Sequence, residues 1–260
     1  MLSSLIIFTL AAAGIILVAR FGLYSPAQIL AKKAGMSTSA TGQLLGYLTS
    51  APELVATIFI AATGLFDVVA VNILGSNIIN VVLAGAAALF YRQVKILVGR
   101  KYLIEQIIII ISIIVPLALF MLGQETSWWT IPLFILAYLS YLKITKTLHV
   151  SPGPEEVVEV IKPTKNKVIG SIILIILSII SLYLLGGVLG ESTEKLGTIF
   201  AVPALILGAI TAVVTSLPEL TTFFSSFSNH KKAGTNGSSE VLHNLMASNV
   251  SIYLSYKLWA

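Results

Sequence analysis

The 260-residue chain contains no cysteine. Disulfides, thiolate metal centres and cysteine nucleophiles are therefore excluded. Charge is also scarce. Asp, Glu, Lys and Arg make up 10% of residues, against about a quarter in a soluble domain. With 57% hydrophobic residues and a mean hydropathy of +0.96, the surface cannot face water on all sides, and lipid is the natural surrounding. The net charge of +5 does not indicate nucleic acid, because the bases sit in short connections and no basic patch interleaves with aromatics. The first apolar run lacks a basic n-region and is followed by Arg20, which argues for a transmembrane helix over a cleaved signal.

About 20 mainly apolar residues are needed to span a bilayer. Eight windows qualify: Leu2–Leu23, Gln43–Gly64, Val68–Tyr91, Ile104–Leu122, Trp128–Ile144, Val168–Leu189, Thr198–Phe227 and Val241–Leu258. The seventh is long enough to be tilted or broken, and the eighth is the least apolar. The expected fold is an all-α integral membrane protein of about eight helices.

Basic residues resist translocation and gather in cytoplasmic connections. With the N-terminus outside, only Lys195 and Lys257 of the 16 basic residues fall on the outer face. Trp128, Trp129 and Trp259 lie at window ends, as interfacial aromatics do. The chain divides into an N-terminal half (1–145), a polar cytoplasmic linker (146–166) and a C-terminal half (167–260). Short loops and small size point to a prokaryotic plasma membrane.

The halves share a motif. Thr49–Leu54 reads TSAPEL and Thr215–Leu220 reads TSLPEL. Downstream, Asn72 precedes Gly75-Ser76-Asn77, and Asn244 precedes Ala247-Ser248-Asn249 at the same spacing. The repeats cover about 42–91 and 208–258, the second with extra residues around Asn229–Ser239. The first hairpin (Leu65–Asp67) falls outside and the second (Lys231-Lys232) inside, so the copies run in opposite directions. Inverted repeats with broken helices near the midplane are a transporter signature.

Glu53 and Glu219 are the acids that lie deep in apolar windows; Glu105 and Glu240 lie near inside ends. A carboxylate at membrane depth costs at least ~2.5–3.5 kcal/mol, so two need compensation. No Lys or Arg lies deep enough to supply it, whereas a bound cation would. Pro52 and Pro218 cannot donate to the carbonyls four residues back, which frees those of Leu48 and Val214. Thr49 and Thr215 share a helical face with the acids. Small residues at Gly46 and Ala212 permit close approach of another helix. Asn72, Ser76 and Asn80 form one polar stripe. Asn244 and Ser248 begin its copy, but Ile252 takes the third place. The donors are all oxygens, which suits hard cations such as Ca²⁺ and Na⁺.

Other features have plainer explanations. His243 fits interfacial packing better than proton relay, and His149 and His230 read as loop residues. Gly186, Gly187 and Gly190 suit helix packing, since no phosphate-binding lysine follows.

TSAPEL with GSNIIN, and TSLPEL with ASN, resemble the two alpha repeats of the calcium/cation antiporters, which include the sodium/calcium exchangers. The resemblance runs from helix two through helix eight. It implies an alternating-access antiporter, not an enzyme, moving Ca²⁺ against Na⁺ or H⁺. In that picture Glu53 and Glu219 are shared ligands, and Thr49, Ser50, Thr215 and Ser216 line the site. Ser76, Asn80 and Ser248 complete it, while helices one and six slide across a rigid core. Beyond lipid and transported cations no cofactor is implied.

Two departures accompany the resemblance. The family has Asn or Asp where Ile252 stands; Ser251 and Ser255 are nearby but on other faces. Family members usually have ten helices, and the last two have no counterpart before Ala260. A reduced, non-transporting subunit, a fragment, or a carrier of another cation is the alternative, with a partner subunit covering helix eight.

Overall fold

The computed structural model describes residues 2–123, 127, 129–148, 164–232 and 237–257, with the side chains of 131, 134, 145–148 and 252–257 outside that description. The expectations placed on Trp128, Trp259, the linker between 149 and 163, and the Ile252 and Ser255 side chains lie outside the described residues.

Among the described residues the chain is helical, without strands. In order the elements are α1 (Leu2–Leu17), a π-helical segment (Val18–Tyr24), α2 (Ser25–Ala34), α3 (Thr38–Thr49), α4 (Ala51–Ala62), α5 (Phe66–Phe90), the short α6 (Val94–Leu97), a 3-10 turn (Arg100–Tyr102) and α7 (Leu103–Met121). Then come α8 (Thr130–Leu148), α9 (Lys165–Glu194), a second π-helical segment (Lys195–Ile199), α10 (Ala204–Thr215), α11 (Leu217–Lys232) and α12 (Ser238–Lys257).

Among the described residues six stretches are long and apolar enough to cross a membrane: Leu2–Ala34, Thr38–Ala62, Phe66–Phe90, Arg100–Met121, Lys165–Ile199 and Ala204–Lys232. Inside α8 the apolar stretch is shorter, Ile135–Ile144. The eighth expected window is the helix α12, but it is too polar to qualify on the same criterion. The reason is its position: from Val241 to Asn249 it is buried in protein, so its side chains never have to suit lipid. By contrast α9 turns Ile172, Ile176, Ile179 and Ile180 outward.

The centre is built by exchange between the halves. α12 packs chiefly on α3, and α10 chiefly on α5. Small residues set both contacts. A Cβ on Gly46 would collide with the Asn244 carbonyl and lie 2.8 Å from Ala247 Cβ. A Cβ on Gly75 would lie 3.0 Å from Ala212 Cβ. Gly46 and Ala212 occupy the same place in the two motifs, as do Gly75 and Ala247, so the two contacts are equivalent. Around this core, α1 with its π segment and α2 pack along α9. Gly186 and Gly190 of α9 receive Val55 and Phe59 of α4, which is the packing role expected of these glycines.

Candidate cation site

The motif breaks its helix at the same point in both copies. α3 ends at Thr49, and Ser50 has φ −80° and ψ −5°. α10 ends at Thr215, and Ser216 has φ −87° and ψ −4°. Pro52 and Pro218 lack the N–H that would continue the ladder. The Leu48 and Val214 carbonyls share the N–H groups of Ser50 and Ser216, which also bond to the Gly46 and Ala212 carbonyls at 3.1 Å. Hydrogen bonding resumes from Leu54 to Ser50 (2.9 Å) and from Leu220 to Ser216 (3.4 Å). Each acid thus sits in the first turn of a new helix, where backbone N–H groups point toward the helix start and favour negative charge.

Glu53 and Glu219 are both fully buried. Ser216 Oγ donates to Glu53 Oε1 at 2.7 Å. Ser76 and Asn80 of α5 turn toward the same carboxylate. Thr49 and Ser50 face Glu219, and the two carboxylates are close enough to feel each other's charge. Glu53 Oε2 and both Glu219 oxygens receive no hydrogen bond in good geometry. Among the described residues no lysine or arginine pairs with either acid.

The two threonine hydroxyls of the motif donate to their own helices. Thr49 Oγ1 donates to the Leu45 carbonyl at 2.9 Å, and Thr215 Oγ1 to the Thr211 carbonyl at 2.9 Å. A hydroxyl whose proton is spent on its own helix keeps its lone pairs free to accept. Ser50 Oγ lies 2.7 Å from Ser248 Oγ, which also accepts from Asn80 Nδ2 at 3.1 Å. Asn80 Oδ1 is left without a donor. All nine residues singled out in the sequence are buried, and contacts link eight of them; Thr215 directly precedes Ser216, with its hydroxyl turned to its own helix.

A Sodium/calcium exchanger protein family model matches residues 3–146 and 170–254. The chain belongs to the sodium/calcium exchanger family. Its members are cation-exchange transporters in membranes rather than enzymes, so the long apolar helices are membrane spans of an integral membrane protein. No curated protein and no solved structure matched the chain.

The exchanger fold also joins residues that the sequence reading did not pair. Asn77 Nδ2 reaches the Asn249 carbonyl at 3.5 Å, and Asn249 Nδ2 reaches Ser112 Oγ of α7 at 3.4 Å. The shared S-N step was the available signal. His230 is a correction: it is buried in α11, not in a loop, and its Nε2 lies 3.1 Å from Glu240 Oε2. The Lys231-Lys232 pair marks a helix end, and His230 falls inside that end. Glu105 and Glu240 are likewise buried, with about 5% of their surface exposed.

Proposed function

We propose that this exchanger-family chain is a secondary active antiporter that carries Ca²⁺ against Na⁺ or H⁺ by alternating access, with Glu53 and Glu219 as central ligands. One observation carries the reading: three of the four oxygens of two fully buried carboxylates lack a donor, and no described base compensates them. Two carboxylates balance one divalent charge. Thr49, Ser50, Thr215, Ser216, Ser76, Asn80 and Ser248 supply further hard oxygens, the donor class Ca²⁺ prefers.

The two T-S-x-P-E-L copies act as an inverted repeat within an eight-crossing topology. Its N-terminus is outside, its central linker is cytoplasmic, and it sits in a prokaryotic plasma membrane. A loaded site is neutral and passes the apolar barrier when α1 and α9 slide across the core. An empty site keeps its charge and resists passage, which enforces exchange over leak.

The test is Ca²⁺ uptake into proteoliposomes under a Na⁺ or H⁺ gradient, with Glu53→Gln and Glu219→Gln beside the wild type. Each substitution is expected to cut uptake by more than the roughly 10–100-fold typical of groups one shell further from a metal. Unchanged uptake in both variants would sink the two-glutamate site. A folded wild-type protein that moves no Ca²⁺ under either gradient would favour the reduced-subunit reading or another cation.

A further inference from the structure

Three helices each carry a polar residue one turn beyond the central site, all toward the end where α4 turns into α5. Thr57 follows Glu53 by four residues on α4, Asn72 precedes Ser76 by four on α5, and Thr211 precedes Thr215 by four on α10. α10 runs alongside α5 in the same direction: a Cβ on Gly208 would meet Val71, and one on Gly75 would meet Ala212. This register sets Thr211 opposite Leu74, two residues from Asn72, or about 3 Å along the axis. All three polar residues are at most 1% exposed. Asn72 Nδ2 donates to Thr57 Oγ1 at 3.4 Å, while Asn72 Oδ1 has no donor. Thr211 Oγ1 donates to the Leu207 carbonyl at 2.8 Å and keeps its lone pairs.

One turn further out the lining becomes apolar. Ile60, Val68 and Leu207 close over the polar layer in a buried cluster with Leu65 and Leu196. The opposite end, where α11 meets α12 and α3 begins, has the reverse order. In the alignment set by the two motifs, Thr57, Asn72 and Thr211 correspond to Phe223, Asn244 and Leu45. Ile60, Val68 and Leu207 correspond to Ser226, Glu240 and Thr41. Phe223 and Leu45, both fully buried, stand one turn from Glu219 and Thr49, and the polar groups lie beyond them. At that end the apolar layer borders the centre. At the α4–α5 end it stands off by a turn and encloses a polar compartment.

We propose that Thr57, Asn72 and Thr211 form a second cation site, enclosed between the Ile60–Val68–Leu207 layer and the central carboxylates, that takes a monovalent cation such as Na⁺. An amide oxygen and two hydroxyls are hard donors. The layer has no carboxylate of its own, and ligand charge is what tunes a site for a divalent ion. Its countercharge is Glu53, about 6 Å away along α4. When the centre holds one monovalent ion, its two carboxylates leave one charge unbalanced, and a second ion rests in the layer. Ca²⁺ in the centre balances both carboxylates and leaves the layer without that attraction. A cation in the layer also gives the buried Asn72 Oδ1 the partner it lacks. The charge balance rests on the central-site reading; the location of the ion does not.

The experiment soaks crystals of the full chain in Tl⁺, a strongly scattering monovalent ion, with and without saturating Ca²⁺. Wild type is compared with Asn72→Leu and with the near-isosteric Thr57→Val. An anomalous peak is expected in contact with Asn72 Oδ1, Thr57 Oγ1 and Thr211 Oγ1, absent in Asn72→Leu, weaker in Thr57→Val and displaced by Ca²⁺. No peak at the layer in wild type would overturn the proposal, as would a peak that neither substitution changes. A layer peak that persists under Ca²⁺ would overturn the charge balance. A layer peak with none between Glu53 and Glu219 would keep the new site and sink the central reading.

A solution readout is calorimetric titration of the same proteins in nanodiscs. Both variants are expected to bind Na⁺ about fivefold more weakly, the loss of one neutral contact, and Ca²⁺ with less than about twofold change. Retained Ca²⁺ binding also shows that the variants fold. Equal weakening for the two ions would mean that the layer serves packing alone and would refute the site.

Discussion

Ser216 and Ser50 occupy equivalent motif positions yet do different things. Ser216 donates to Glu53 Oε1, whereas Ser50 reaches Ser248 and its own helix. A hydrogen bond to a charged group is worth about 1.5–3 kcal/mol, and a neutral one about 1 kcal/mol. Ser216→Ala is therefore expected to weaken cation affinity by about tenfold, and Ser50→Ala by less, as read by calorimetric titration in detergent. Equal losses would show that the two hydroxyls contribute alike. At this scale the motif was legible because proline, acid and hydroxyl act within a single turn. The Asn77–Asn249 and His230–Glu240 pairings were not, because each depends on helices meeting in space. A basic run beside His230 marks a helix end, whatever the burial of the preceding turn.

The elements owe their close approach to side chains that are missing. Gly46 lies against the α12 backbone, so Gly46→Ala forces α3 and α12 apart and is expected to cost about 1–3 kcal/mol. Gly85 on α5 has open space where a Cβ would go. Gly85→Ala should stabilise the helix by about 0.5–1 kcal/mol. Thermal unfolding in detergent separates the two, with midpoints moving in opposite directions; a shared direction would contradict the packing described. Most apolar helices were readable from length alone. α12 read as the weakest window because hydropathy measures fitness for lipid, and this helix is enclosed by protein. The π segments at Val18–Tyr24 and Lys195–Ile199 had no sequence signal: an extra residue turns the following face by about 100°, but the adjoining α1 and α9 are apolar nearly all round, so no stripe records the turn.

Across the whole molecule, α1 and α9 run together over a core made from α3–α5 and α10–α12. Ala27 of α2 and Leu45 of α3 share a small buried cluster at the border between these two bodies. In the cysteine-free background, Ala27→Cys with Leu45→Cys should cross-link on oxidation and stop exchange, and reduction should restore it. Full transport by the quantitatively cross-linked protein would rule out sliding at this border.

The partner exchange at the centre also bears on how the two halves relate as objects. α3 spends its small face on α12, and α10 spends its own on α5. Neither half can satisfy that face by itself, so neither is a folding unit in the ordinary sense. The duplicated segments resemble interlocked hands rather than two beads on a string. A change in one copy is felt by the other, and the halves can drift only in concert.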